Sequence, residues 1–308
     1  DFDLVISDEA HRSIGGNARA VFEYFVGYRV GLTATPKDYL KSTKDDANTE
    51  KEFERRQLLD TYTTFGCESG QPTYRYSLTD GVNDPEGPFL VNPTIVDART
   101  DITTQLLSDK GYAVHHVSED GETMDEVYGA RDFERKFFNK ETNDVLAKTF
   151  LEQADKDPIS GEVGKSIIFA VSQNHAEKIV NTLNQLAMAR WPGKYKSDFA
   201  IQITSRVSDA QNYTTRFTEN DLLGQTRWLE NYQSSRARVA VTVGMMTTGY
   251  DCSDLQNVVF MRPIFSPSDF IQMKGRGTRL HTFTYTDYAN DEEIITKPKN
   301  GFKLIDFF

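Results

Sequence analysis

Short apolar runs recur through the C-terminal half of the chain, separated by stretches whose apolar positions repeat at helical spacing. Residues 166–171, SIIFAV, form a continuous run of the kind found in strands buried on both faces. The segment that follows puts Ala176, Ile179, Val180, Leu183, Leu186 and Ala187 on one stripe of a helix. Residues 198–204 read as a strand, 221–232 as a helix, and 237–243 and 257–263 as two more buried strands. In SPSDFIQMKGRGTRL, Ser266 supplies a cap, Pro267 the first turn, and Asp269 a negative charge near the positive end of the helix dipole. Residues 302–308 give a last strand.

Near the N-terminus, residues 3–7 and 28–35 read as strands of the same buried kind, joined by a helical stretch at 18–26. The rhythm breaks after Pro36. Residues 41–56 are highly charged and predict a loop running into a helix. Residues 81–93 are rich in turn formers, and 118–132 form a flexible acidic stretch. A helix is expected over 132–153. These shifts predict a first domain over 1–98, a linker or insertion over 99–131, and a second domain over 132–308. Strands alternating with helices predict an α/β fold built on parallel sheets covered on both faces.

Composition narrows the class. The chain has 308 residues, 38% of them hydrophobic and 12% aromatic, enough for real cores. No stretch approaches the roughly 18 consecutive apolar residues of a membrane span, and a charged-then-apolar leader is absent. The sequence lacks an initiating Met and opens directly in a strand pattern, which predicts a piece excised from a longer polypeptide. Cys67 and Cys252 fit no metal spacing and read as free thiols in a reducing cytoplasm. A net charge of −11 argues mildly against a nucleic-acid partner. Basic clusters nevertheless occur at 189–196, 234–239 and 274–279, as a binding groove or as ordinary solvated surface.

Several strand ends carry groups with chemical potential. Asp8 and Glu9 follow the first strand, where side chains of a parallel sheet face the ligand crevice. One carboxylate can hold a hydrated Mg²⁺ while its neighbour polarises an attacking water; the same pair could simply cap the following helix. His11 lies close enough to sense a second domain. In LTATP, Thr33 and Thr35 end a strand before Pro36, which alone is an ordinary exit into a loop. After the strand at 237–243, Gly249 lets backbone approach a ligand and Asp251 can accept a ribose hydroxyl, or the two mark a tight turn. In QMKGRGTR, Arg276 and Arg279 stand three apart on a helix, so both guanidinia can converge on a transferring phosphoryl group. A solvated basic helix end is the alternative.

Taken in order, DEAH, TATP, IIFAVSQNHA, TTGYD and QMKGRGTR resemble the motor of superfamily-two helicases and translocases. That motor consists of two RecA-like domains of the P-loop NTPase type with ATP between them. DEAHRSIGG, GLTATPKD, the block at 72–100 and TVGMMTTGYDCSDL look more narrowly like the motor subunit of type I restriction enzymes. The resemblance implies ATP and Mg²⁺ as cofactors, with Asp8 holding the metal through water and Glu9 handling the attacking water. It implies coupling by His11, Thr33, Thr35 and Gln272, nucleotide contacts from Gly249 and Asp251, and arginine fingers at Arg276 and Arg279. Double-stranded DNA and the modification and specificity subunits are the implied partners, in the cytoplasm, with duplex movement preceding remote cleavage. Related motors of type III restriction, DNA repair or RNA unwinding, and a non-catalytic DNA-binding or docking module, are the alternatives.

The family's first motif, a P-loop, would precede DEAH and is not in the sequence; its nuclease motif is not recognisable either. GEVGKS at 161–166 imitates a P-loop, yet Lys165 and Ser166 open a strand rather than a helix, so the segment reads as a turn. The chain as given should therefore not hydrolyse ATP at a useful rate. DNA-stimulated phosphate release that disappears in Lys165→Ala would show otherwise.

Overall fold

The computed structural model describes residues 2–38, 60–99, 138–226, 229–247, 249–264, 266–290 and 293–308. The expected charged segment at 41–56 and the acidic stretch at 118–132 lie outside them, as does nearly all of the expected linker. The chain divides into two compact units, Asp1–Ser77 and Leu78–Phe308.

In the first unit β1 (Leu4–Ser7) lies parallel to β2 (Tyr28–Gly31), with Leu4 opposite Tyr28 and Ile6 opposite Val30. The crossover passes through one helical turn, α1 (Ala10–Ser13), and α2 (Gly16–Tyr24). It ends two residues before the expected helix because Phe25 is already extended at φ −90° and ψ 120°. Side chains alternate across a strand, so Leu4, Ile6, Tyr28 and Val30 share one face. That face is open, with Ile6 62% and Tyr28 82% exposed. The expectation of strands buried on both faces thus fails here: among the described residues this is a two-stranded sheet. On the other parity Gly31 has no side chain, and a Cβ there would meet the Phe65 ring. Phe65 stacks edge-on against Phe22 of α2 and follows a further turn, α3 (Thr61–Thr64), capped by Asp60.

The second unit opens with α4 (Leu78–Val82) and β3 (Pro93–Asp97), followed by α5 (Lys140–Gln153), β4 (Ser166–Ala170), α6 (Gln173–Arg190) and β5 (Ala200–Gln202). Next come α7 (Ala210–Thr218), β6 (Val239–Thr242), β7 (Asn257–Met261) and α8 (Pro267–Gly275). A hairpin of β8 (Thr282–Asp287) and β9 (Glu293–Pro298) then leads to β10 (Phe302–Asp306). Six strands form one parallel sheet in the order β3-β10-β7-β4-β6-β5. The α/β parallel-sheet class expected from the sequence is the one observed. The break between units falls before Leu78 rather than at 98, because β3 pairs along its length with β10 and brings Val96 onto the second unit's core.

Strand alternation separates two cores. Ile168, Val241 and Val259 face one side with Leu146 and Phe150 of α5 and Ile179 and Leu183 of α6. Ile167, Ala240 and Phe260 face the other with Phe217 of α7 and Met273 of α8. Two expected helices change. The one at 132–153 begins at Lys140, where the Asn139 side chain accepts from Thr142 N at 2.8 Å. Among the described residues of 221–232 there is no helix: Leu223, Gly224 and Asn231 have positive φ, which a right-handed helix cannot contain. The helix of that crossover is α7, before it. The start at Ser266 is as expected, its hydroxyl accepting from Asp269 N at 3.3 Å.

The P-loop imitation is a turn, as its sequence context predicts. Gly161 has φ +70°, and Lys165 is 1% exposed immediately before β4. Its Nζ donates to Asp254 Oδ1 at 2.8 Å and lies 5.3 Å from the centre of the Phe217 ring. Burial alone would raise the Asp254 carboxyl; the Lys165 charge and hydrogen bond, with Asn220 and Cys252 donors, outweigh it and hold the group at about 2. Lys165→Met leaves a buried carboxylate without its cation and should destabilise this unit by about 3–5 kcal/mol near neutral pH. Asp254 titrates below the unfolded carboxylate value of about 4, so its contribution is full above that value and fades as pH falls toward about 2. Urea unfolding of wild type and variant should show the largest gap near neutrality and a narrowing one at about pH 3. A gap independent of pH would refute the pairing.

Candidate functional site

Each unit carries its own cluster of the residues singled out by sequence. In the first, all five converge at the carboxyl ends of β1 and β2. The ladder continues past the strands, with Leu32 N donating to Ser7 O at 2.8 Å and Ala10 N to Leu32 O at 2.9 Å. This lays the DEAH segment alongside Thr33. Asp8 is exposed, and its Oδ1 accepts from Glu9 N at 2.8 Å. Glu9 adopts φ 48° and ψ 47°, the left-handed region, at the N-cap of α1. For a non-glycine residue this costs roughly 1–3 kcal/mol and persists only where surroundings enforce it. It does not cap the helix with its side chain, so the helix-cap alternative for Glu9 is not what the geometry shows.

His11 is buried and reads both carboxylate and threonines. Its Nδ1 lies 3.5 Å from Glu9 Oε2, 2.8 Å from Thr33 Oγ1 and 3.4 Å from Thr35 Oγ1. Thr35 N donates to Thr33 Oγ1 at 3.0 Å. A proton held at His11 Nδ1 would therefore be shared between Glu9 and the threonines, so a change at one is felt at the other.

The second cluster lies on the six-stranded sheet. β4 is flanked by β6 and β7, and the chain moves from one side of it to the other between those two strands. The arginine end of this cluster lies at the amino edge of the sheet: α8 runs back across it, Thr278 O accepts from Val91 N two residues before β3, and the Phe302 ring that opens β10 fills the Gly277 Cβ position. Gly249, Tyr250 and Asp251 lie on the loop after β6; Gln272, Arg276 and Arg279 lie on α8 and its continuation after β7. Gly249 has φ +66° with open space around its Cβ position, so conformation rather than crowding calls for glycine.

The two loops are joined. Arg276 donates from its guanidinium to Tyr250 O and, through Nε, to Gln272 O at 3.3 Å. Arg279 Nε donates to Asp251 Oδ1 at 3.0 Å, with both side chains more than half exposed. One expectation changes in detail: α8 ends at Gly275, Arg276 is its C-cap, and Arg279 lies beyond it in an extended bridge to Leu90. The arginines are brought together by a turn at Gly277, whose Cβ position is filled by the Phe302 ring, and not by helical spacing.

Sequence reading missed the groups beneath this surface. Asp254 holds Lys165, Asn220 Nδ2 at 2.8 Å and Cys252 Sγ at 3.1 Å. Burial pushes the Cys252 thiol up to about 12, so it is an inert free cysteine, as is expected of a packed thiol. Lys299, five percent exposed, bonds both loops from below. Nothing in the motif spacing marks these residues, since they act through backbone carbonyls and each other. In the basic clusters, Lys194 pairs with Glu162, Arg236 with Asp198, and Arg238 with Asp157.

Comparison with known proteins agrees with the motif order. The family described as "Type III restriction enzyme, res subunit" matches residues 1–38. The chain is 27% identical to the type I restriction enzyme EcoAI endonuclease subunit of Escherichia coli, over 96% of this chain and 32% of that protein. It is 26% identical to the EcoKI endonuclease subunit of Escherichia coli, over 91% of this chain and 22% of that one. The chain thus spans about a third or less of the curated relatives it matches. Among solved structures, a fragment described as an HsdR subunit of a type I restriction enzyme from Vibrio vulnificus aligns with 99% of this chain and 43% of that one, at TM-score 0.56 and 24% identity. The type ISP restriction-modification enzyme LlaBIII bound to DNA aligns with 99% of this chain and 18% of that one, at TM-score 0.50 and 17% identity. These two curated homologues are type I restriction endonuclease subunits, and the fold is shared with the two solved restriction-enzyme structures.

The strain at Glu9 gives a test that needs no ligand. Glu9→Gly should stabilise the first unit by about 0.5–1 kcal/mol, after allowing for the extra entropy of glycine in the unfolded chain. Chemical unfolding of that unit measures it; a loss of stability would mean that side-chain contacts, and not chemistry, hold Glu9 in its left-handed conformation.

Proposed function

We propose that the chain is the ATP-driven motor portion of a type I restriction endonuclease subunit, moving duplex DNA ahead of cleavage in a cytoplasmic complex with modification and specificity subunits. The observation that carries this reading is the attachment of both arginines, Arg276 and Arg279, to the Tyr250–Asp251 loop. A solvated basic helix end would leave them apart. Similarity over nearly the whole chain to type I endonuclease subunits supports the assignment.

In this reading Asp251 accepts a ribose hydroxyl and Gly249 admits the nucleotide close to backbone. Arg276 and Arg279 stabilise charge on the transferring phosphoryl group. Arg279 exchanges one exposed carboxylate partner, Asp251, for phosphate, a change of partner that costs little at a solvated surface. Glu9 orients the attacking water and takes its proton at the carboxylate. His11, within reach of Glu9 Oε2 and Thr33 Oγ1, passes the resulting change to the Thr33–Thr35 segment. The exposed oxygens of Asp8 and Glu9 are hard donors suited to a water-bridged Mg²⁺, held by Asp8. Bound Mg²⁺ supplies neutralisation of the phosphate charge.

A second reading, the related motor of a type III restriction enzyme, is favoured by the match over residues 1–38. Translocation assays with modification and specificity subunits separate the two, because only the type I reading requires both subunits.

Glu9→Gln preserves shape and removes the charge that favours water attack. In the full natural polypeptide containing this chain it should lower ATP turnover by roughly two to four orders of magnitude while nucleotide still binds. Arg279→Ala should lower turnover about a thousandfold. Steady-state ATPase beside equilibrium nucleotide binding reads both. Near-normal ATPase in Glu9→Gln would make VISDEAHR a structural strand end.

A further inference from the structure

Beneath the surface that bears Asp251 and the arginines, a single buried cation joins the two loops. Lys299 follows β9, is 5% exposed, and donates from Nζ to Ser253 O and to Gly277 O, each at 2.9 Å. Ser253 stands two residues after Asp251, and Gly277 lies between Arg276 and Arg279. Lys299 N donates to His281 O at 2.8 Å, and His281 Nδ1 lies 3.0 Å from Ser253 Oγ, so both loops and the foot of the hairpin meet at one point. Among the described residues no carboxylate makes an ion pair with Lys299.

A buried ammonium held by carbonyls alone is a costly way to fill space, and an apolar side chain would pack there at less expense of solvation. What the lysine does that an apolar group cannot is draw carbonyls of two separate loops onto one donor. Gly277 has no room to compensate by moving inward, because the Phe302 ring fills its Cβ position. The turn that aims Arg279 is therefore fixed on one side by an aromatic ring and on the other by Lys299.

We infer that Lys299 is a positioning residue for the proposed hydrolysis, fixing the Arg276–Arg279 turn against the Asp251 loop so that the arginines are presented together. This rests on the arginine-finger reading above. Lys299 touches neither nucleotide nor water in this account; it acts through the carbonyls of Ser253 and Gly277.

The test uses Lys299→Met, which keeps length without donors, and Lys299→Gln, whose amide retains two N–H donors without charge. In the full natural polypeptide, Lys299→Met should lower kcat by about 10–100-fold, the scale of an ångström-sized misplacement, with KM changed less than about threefold. Lys299→Gln should fall between Met and wild type. In an Arg279→Ala background, adding Lys299→Met should cost several-fold less than in wild type, since one of the two arginines it positions is already gone. An equal loss in both backgrounds, or a rise in KM alone, overturns the inference.

Amide exchange on the 308-residue chain provides the second readout. Amides of residues 252–256 and 276–281 should exchange faster in Lys299→Met while β4, β6 and β7 stay protected. If the Met variant also loses protection in those strands, Lys299→Gln carries the comparison, and unchanged exchange at both loops in a folded variant overturns the inference. Wild-type turnover in Arg279→Ala would instead overturn the finger reading, and loop exchange would then judge the lysine's hold on the two loops by itself.

Discussion

Parallel pairing is the constraint from which the second unit follows. Six parallel strands cannot be joined by tight hairpins, so every neighbour requires a crossover, and every strand ends on the same edge. Helices α5 and α6 cover one face, α7 and α8 the other, and the strand interiors become apolar on both sides. Polar chemistry is thereby confined to the loops at the edges of the sheet. The Asp251 segment and the turn after α8 meet at the amino edge, beside the start of β3 and β10, and holding them in register is the structural problem that this cluster solves.

The solution is electrostatic and hidden. Lys165 and Asp254 pair at the base of the Asp251 loop, Asn220 ties the same carboxylate to the end of α7, and Lys299 gathers two carbonyls. These contacts are in low dielectric, where hydrogen bonds strengthen and an unmatched group is expensive. The exposed Asp251–Arg279 pair, by contrast, is loose enough to exchange partners. Rigid support below and exchangeable charge above is the arrangement the proposed nucleotide role calls for.

Sequence pattern and structure agree where one physical rule dominates. Continuous apolar runs gave β4, β6 and β7, and Ser266 with Pro267 marked the start of α8, because burial and capping are local. Of the residues the motifs singled out, Glu9, His11, Thr33 and Thr35 touch one another in the first unit, and Asp251 and Gln272 touch Arg279 and Arg276 in the second. Failures came where long-range contacts overrode local pattern. Positive φ at Leu223 and Asn231 replaced an amphipathic-looking helix with turns, and β3 joined the second sheet across a large sequence separation. Lys299 was invisible because its partners are main-chain atoms, which no side-chain motif records. In β8, by contrast, threonines alternate with buried Phe283 and with Tyr285, a strand signal that the sequence reading passed over.

The internal pairing of the basic clusters has a consequence for how such a protein would hold a polyanion. Arg236, Arg238, Lys194 and Arg279 already have carboxylate companions, so their counterions are built into the polypeptide rather than borrowed from solution. Contact with a phosphate at Arg279 swaps one anion for another and releases little bound salt. At these residues the entropy of ion release, which gives most proteins their tight and indiscriminate hold on duplexes, is then largely forgone. A pairing of that kind lets go as easily as it takes hold.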